Sequence, residues 1–99
     1  MSSDQKFSRL TADGNFKTIT GGSVNIGPSR VTYIQAHGNA SNAAVSLYDG
    51  TDTSGDLLFQ MKFGTEGLDI YVPGNGIRFE TGVYLDLNGT DSVTIGYTG

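Results

Sequence analysis

Three aspartates, Asp49, Asp52 and Asp56, fall within eight residues and form a dense group of possible metal ligands. Carboxylate oxygens bind Ca²⁺, but this spacing does not match an EF-hand loop, and no glutamate closes the loop at the required offset. Aspartates in glycine-rich turns usually accept hydrogen bonds from backbone N–H groups instead. We therefore predict turn chemistry here and no metal site.

His37 is the single histidine and the natural starting point for a catalytic centre. Ser41 follows it closely, but no G-x-S-x-G elbow presents a nucleophile. A zinc site would need further His or Cys ligands, and the chain has no cysteine. The carboxylates Glu66, Asp69 and Glu80 have no spacing that would pair them as the acid and base of a glycosidase. The sequence therefore predicts no catalytic residue and no cofactor, and we do not expect an enzyme.

Composition argues against two classes of partner. The chain carries ten acidic and six basic residues, a net charge of −4, and lacks the basic patch that neutralises phosphates in nucleic-acid-binding proteins. Its apolar runs are far shorter than the roughly 18 residues of a membrane span. Residues 1–6 show no apolar stretch behind a basic start, so we expect no signal peptide. Nucleic acid and membrane are thus not expected as partners.

The elements that must position these side chains are β-strands. From Gly50 onward no gap between glycines exceeds eight residues, which leaves no room for an average helix. Apolar and polar residues alternate with a period of two, and turn signals such as Pro73-Gly74-Asn75-Gly76 separate the runs. We predict an all-β, antiparallel, jelly-roll-like sandwich with roughly seven to nine short strands and no substantial helix.

One phase of each alternating run is predicted to face the core. Upstream, Val31, Tyr33 and Gln35 share one phase of a further predicted strand. The predicted core set is Leu57, Phe59, Met61, Leu68, Ile70, Ile77, Phe79, Val83, Leu85, Val93 and Ile95.

Tyr71 and Tyr84 lie on the polar phase of strands whose other phase is assigned to the core. An aromatic ring with a hydroxyl at its tip suits a wet protein interface, and isolated exposed tyrosines are equally common on ordinary sheets. We predict that both tyrosines contribute to an interface.

Residues 1–20 are predicted to form an N-terminal arm outside a single β-sandwich domain of residues 21–99. The segment is polar apart from a few apolar side chains, of which Phe7 and Phe16 are the largest. Docked on a neighbouring subunit, these rings would anchor the arm. A frayed terminus is the alternative.

Several turn-and-strand motifs carry a family resemblance: Leu47-Tyr48-Asp49-Gly50-Thr51-Asp52-Thr53-Ser54-Gly55, Pro73-Gly74-Asn75-Gly76-Ile77-Arg78-Phe79, Thr81-Gly82-Val83-Tyr84 and Ser92-Val93-Thr94-Ile95. The tract that contains them resembles small β-rich accessory virion proteins of tailed bacteriophages. The resemblance implies a structural protein of the capsid surface, neck, tail or fibre, made in the host cytoplasm and incorporated into the virion. It also favours a homo-oligomer, with a trimer preferred, that packs on capsid or tail subunits.

A second function remains open from the residues. A glycan- or receptor-binding module at a fibre tip would use an aromatic platform with converging polar side chains. Tyr71, Asp49 and Asn75 would supply these groups if their loops meet.

Overall fold

The computed structural model describes residues 5–17 and 26–98 of the chain. These residues form nine strands and one short 3-10 helix, Gly64–Glu66, and none of them lies in a helix long and apolar enough to cross a membrane. The predicted antiparallel sandwich without a substantial helix is confirmed. The strands are β1 (Lys6–Leu10), β2 (Gly14–Asn15), β3 (Ser29–Gly38), β4 (Ala44–Asp49), β5 (Asp56–Lys62), β6 (Leu68–Tyr71), β7 (Ile77–Phe79), β8 (Val83–Asn88) and β9 (Thr90–Thr98).

The strands form two antiparallel sheets that pack face to face. Sheet A has the order β1-β9-β3-β6, with β7 also paired to β3, and sheet B has the order β2-β8-β4-β5. Several strand pairings enclose one another along the sequence. From the innermost outward, β4 pairs with β5, β3 with β6 and β7, β2 with β8, and β1 with β9. The chain is thus a long hairpin folded over on itself. The folding adds the β3–β9 and β4–β8 pairs that complete each sheet.

The core lies between the two sheets and draws on both. Of the predicted core set, the buried members are Leu68, Phe79, Val83, Leu85, Val93 and Ile95. Phe59, Ile70 and Ile77 are partly buried at its margin. The core also contains buried side chains outside that set: Phe16, Val31, Ile34, Ala36, Ala43, Val45, Leu47 and Tyr97.

Leu57 and Met61 do not belong to the core, and the prediction was wrong for both. Leu57 is 45% exposed because a register shift interrupts β5: Leu47 pairs with Phe59 and Tyr48 with Leu57, which leaves Leu58 as an extra residue. Such a bulge reverses the alternation and places Leu57 on the outer face with Tyr48. Met61 opposes the core strand β4, but β5 is the edge of sheet B, and no strand in residues 5–17 and 26–98 pairs with its far side.

The described part of residues 1–20 does not form a detached arm. β1 pairs with β9 along all five of its residues, and β2 pairs with β8. Phe16 follows β2 and is fully buried; its N–H donates to the Val83 carbonyl at 3.0 Å, and its carbonyl accepts from the Ile26 N–H at 3.0 Å. The burial of Phe16 between the sheets, together with the pairing of β1 and β2, holds this polar segment on the sandwich. The predicted boundary at residue 20 lies outside the described residues.

Candidate binding surfaces

Three aromatic side chains line up across the outer face of sheet A. The registers place Phe7 opposite Gly96, Gly96 opposite Tyr33, and Tyr33 opposite Tyr71. Phe7 and Tyr71 are 52% and 73% exposed, and the rings of Phe7 and Tyr33 meet edge to face. We call Phe7, Tyr33 and Tyr71 the aromatic row. It presents apolar ring surface and hydroxyl groups to solvent on the same face.

A second row, two residues away from the first on each strand, is polar. Arg9 lies opposite Thr94, Thr94 opposite Gln35, and Gln35 opposite Asp69. We call these four residues the polar row. The Tyr33 hydroxyl donates to Asp69 Oδ1 at 2.5 Å, a bond that raises the pKa of Tyr33, with smaller contributions from burial and the Asp69 charge. The two rows are therefore joined by a side-chain hydrogen bond.

An open groove of about 670 Å³ lies beside the polar row, whose four residues help to line it. His37, Glu66 and Asp91 line it as well. Asp91 accepts from Asn39 Nδ2 at 2.5 Å, and its other oxygen lies 3.2 Å from His37 Nδ1. The groove therefore offers hydrogen-bond donors, acceptors and charges of both signs, as sites for polar ligands do.

Ser92 also lines this groove and lies opposite His37 in the β3–β9 register. Within the described residues, no hydrogen bond joins the Ser92 hydroxyl to the imidazole. The trio of Ser92, His37 and Asp91 therefore lacks the nucleophile–base contact of a hydrolase.

The outer face of sheet B carries a different set of side chains. Tyr84 lies opposite both Asn15 and Tyr48, and Tyr48 lies opposite Leu57. Two residues further along β8, burial raises the pKa of Asp86, and the charge of Asp13 and a hydrogen bond with it raise that pKa further. Because Tyr84 belongs to sheet B and Tyr71 to sheet A, the two tyrosines lie on opposite faces of the sandwich.

Asp49 and Asp52, at the β4–β5 turn, accept hydrogen bonds from backbone N–H groups. The Asp49 carboxylate accepts from the N–H groups of Glu80, Thr81 and Gly82 at 3.1, 2.8 and 3.4 Å. Burial raises the pKa of Asp49, but these three hydrogen bonds together bring it below its ordinary value. Asp52 accepts from the hydroxyl and the N–H of Ser54, which lowers its pKa. The prediction that these aspartates accept from backbone N–H groups is confirmed for both residues, within its own turn for Asp52 and across to residues 80–82 for Asp49.

No group of three or more His, Asp or Glu side chains in residues 5–17 and 26–98 is arranged to hold a metal ion.

The predicted interface residues have three different locations. Phe7 and Tyr71 lie in the aromatic row, Tyr84 lies on the other sheet, and Phe16 lies in the core. The prediction that Phe16 anchors a neighbour is wrong, because Phe16 fills the space between the chain's own sheets.

The predicted glycan-binding trio is also not assembled. Tyr71 lies on sheet A, whereas Asp49 lies in sheet B with its carboxylate occupied by backbone N–H groups. Sequence reasoning missed Tyr33, Gln35 and Asp69 as neighbours of Tyr71. Only the β3–β6 register brings them together, and no sequence signal marks that register.

No protein-family model, curated protein or solved structure significantly matches this chain.

Proposed function

We propose that the chain is a non-enzymatic structural subunit of a bacteriophage particle, located on the capsid surface or in the neck, tail or fibre. It works by packing against copies of itself and against capsid or tail subunits. The observation that carries the proposal is the strand order β1-β9-β3-β6 facing β2-β8-β4-β5.

We interpret this order as that of a jelly roll. The nested pairs β1–β9, β2–β8, β3–β6 and β4–β5 are those of one long hairpin, rolled so that its strands are shared between two sheets. Viral capsid proteins and lectins include domains with this architecture. Together with the resemblance of the tract from Leu47 to Tyr97, the order supports a virion protein.

The exposed surfaces support a role in packing. Phe7 and Tyr71 present large side chains on one face, and Leu57, Leu58 and Met61 present apolar surface along β5. Aromatic residues and Met are enriched in protein interfaces. In a particle, such groups would be buried between subunits.

Mass spectrometry of purified particles tests this proposal. Particles of the phage that encodes the chain would be purified on a density gradient, and the copy number of the chain measured against the major capsid protein. We expect a fixed ratio across gradient fractions. A chain that is abundant in infected cells but absent from particles overturns the proposal, and a non-structural phage protein provides the control for carry-over.

A second candidate function is glycan binding by the outer face of sheet A. The observation that favours it is the aromatic row lying directly beside the polar row and the groove. An exposed ring such as Tyr71 can stack on the apolar face of a sugar. The side chains of Arg9, Gln35 and Asp69 would bond its hydroxyl groups.

A glycan array with purified protein tests this candidate. We expect any binding to fall at least about ten-fold for Tyr71→Ala and Gln35→Ala, since each would remove a direct contact. Tyr84→Ala is the matched control because it alters a tyrosine on the opposite sheet. No binding across the array, or equal loss in all three variants, would eliminate the sheet A site.

A further inference from the structure

β5 is an unusually open edge strand. It ends the order β2-β8-β4-β5, so one side of its seven-residue backbone has no neighbouring strand within the described residues. The other edges are less suited to pairing. β1 carries the cations Lys6 and Arg9, β2 has two residues, β7 has three, and β6 has four residues and is followed closely by Pro73. Edge strands are usually protected by charge, proline, bulges or short length. β5 has a bulge at Leu58 and a charge at each end, but it is the longest of these edges and carries most of the exposed apolar side chains.

The exposed apolar surface of the chain is concentrated on the same strand. Five large apolar side chains are exposed in the described residues, and three of them, Leu57, Leu58 and Met61, belong to β5. Phe59 is only partly buried at the margin of the core. Among the described residues, the core of the sandwich is therefore incompletely covered where sheet B ends.

The charged residues at the two ends of β5 favour one orientation of a second copy of this strand. The strand begins with Asp56 and ends with Lys62, and both side chains are exposed. Neither forms an ion pair within residues 5–17 and 26–98. Two copies of β5 placed antiparallel bring the Asp56 end of each strand alongside the Lys62 end of the other. A parallel arrangement would instead bring like charges together.

We propose that β5 pairs antiparallel with β5 of a second copy around a two-fold axis. The two four-stranded B sheets then continue into one sheet across the interface, and Phe59 and Met61 of each copy cover those of the other. This pairing uses the same patch on both subunits and closes at two copies. It therefore replaces the trimer favoured by the resemblance with a dimer.

The test uses the isolated full chain, so its outcome is independent of whether the protein is found in phage particles. Analytical ultracentrifugation over a range of micromolar concentrations should show a species of twice the 10.4 kDa chain mass. Asp56→Lys and Lys62→Asp should each weaken the dimer at least about ten-fold, because each creates like-charge contacts at both ends of the pair. The double variant, which exchanges the two charges, should recover to within about three-fold of wild type.

Glu66→Lys is the matched control for Asp56→Lys, since it makes the same charge change at an exposed residue outside β5. It should leave the dimer unchanged. Hydrogen exchange provides a second readout, because β5 amides should become better protected as protein concentration rises. A monomer up to about 100 µM, a trimer, or a dimer insensitive to the charge exchange overturns the proposal.

Discussion

The rings of Phe7 and Tyr33 meet edge to face above Gly96, with their centroids 6.2 Å apart and their planes inclined at 75°. Gly96 makes the contact possible. A Cβ at this position would lie 3.1 Å from Phe7 Cε2, 3.1 Å from Tyr33 Cβ and 2.6 Å from Gln5 Nε2. The contact links the edge strand β1 to β3 over the intervening β9, so a side-chain bridge reinforces the backbone pairing of β1.

Replacing Gly96 with valine should therefore loosen β1. The added methyl groups would displace Phe7 and Gln5 and strain β9, at an expected cost of about 1–3 kcal/mol in the free energy of unfolding. Urea unfolding provides the measurement. Thr94→Val, on the same face of the same strand, is the control and should cost less than about 0.5 kcal/mol. Equal effects of the two variants would contradict the bridging role of the aromatic contact.

Phe16→Ala should be among the most destabilising substitutions in the chain. The side chain is fully buried between the sheets, so its loss should cost about 3–5 kcal/mol. Leu57→Ala, measured under the same conditions, should cost less than about 1 kcal/mol because that side chain is 45% exposed. A larger loss for Leu57 than for Phe16 would show that the positions of the two side chains had been wrongly assigned.

Asp49→Ala should destabilise the link between β7 and β8. It removes the charged acceptor of three backbone N–H groups in residues 80–82. Hydrogen bonds to a charged group contribute about 1.5–3 kcal/mol each when they are protected from water, and water can replace this acceptor in part, so we expect a total loss of about 1–3 kcal/mol. Asp52→Ala is the matched control, since the Asp52 carboxylate accepts from Ser54 within its own turn. Thermal unfolding should show a clearly lower Tm for the Asp49 variant. Indistinguishable melting curves would exclude the long-range role of Asp49.

Asp86→Asn should stabilise the protein at neutral pH. Because the pKa of Asp86 is raised in the folded state, the charged carboxylate is disfavoured there and stability falls as pH rises through its titration. The substitution removes that penalty at pH 7, with an expected Tm increase of about 2 °C in so small a domain. The gain should vanish below about pH 3, where the carboxyl is protonated in both states.

Asp13→Asn should give a similar gain, because it removes the charge next to Asp86 while keeping an oxygen to accept from the Leu87 N–H. A lower Tm at pH 7 in both variants would mean that the acidic pair stabilises the fold.

The sequence predicts the all-β class because glycine spacing and a period of two are local properties. It does not predict where the alternation of buried and exposed residues is interrupted. Register shifts after Val31 and at Leu58 each add one residue to a strand. As a result Tyr33 lies on the outer face while Val31 lies in the core, although both share one phase of the sequence. A bulge is fixed by pairing with a distant strand, so local alternation cannot reveal it.

The candidate surface is predicted only in part for a related reason. Phe7 and Tyr71 lie more than sixty residues apart in the sequence. They share a row only because β9 and β3 lie between their strands. Tyr84 has the same local pattern as Tyr71 but belongs to the opposite sheet. Which sheet a strand joins depends on how the hairpin rolls, and that is a property of the whole chain.

The central position of β9 in sheet A has a consequence for how the protein is made. β9 pairs with both β1 and β3, yet the ribosome synthesises it after every other described strand. Until residue 98 has left the exit tunnel, β1 and β3 lack the strand that joins them, and the core lacks Val93, Ile95 and Tyr97. We therefore expect the domain to acquire protease resistance only after release of its final strand, in one late step rather than strand by strand during translation.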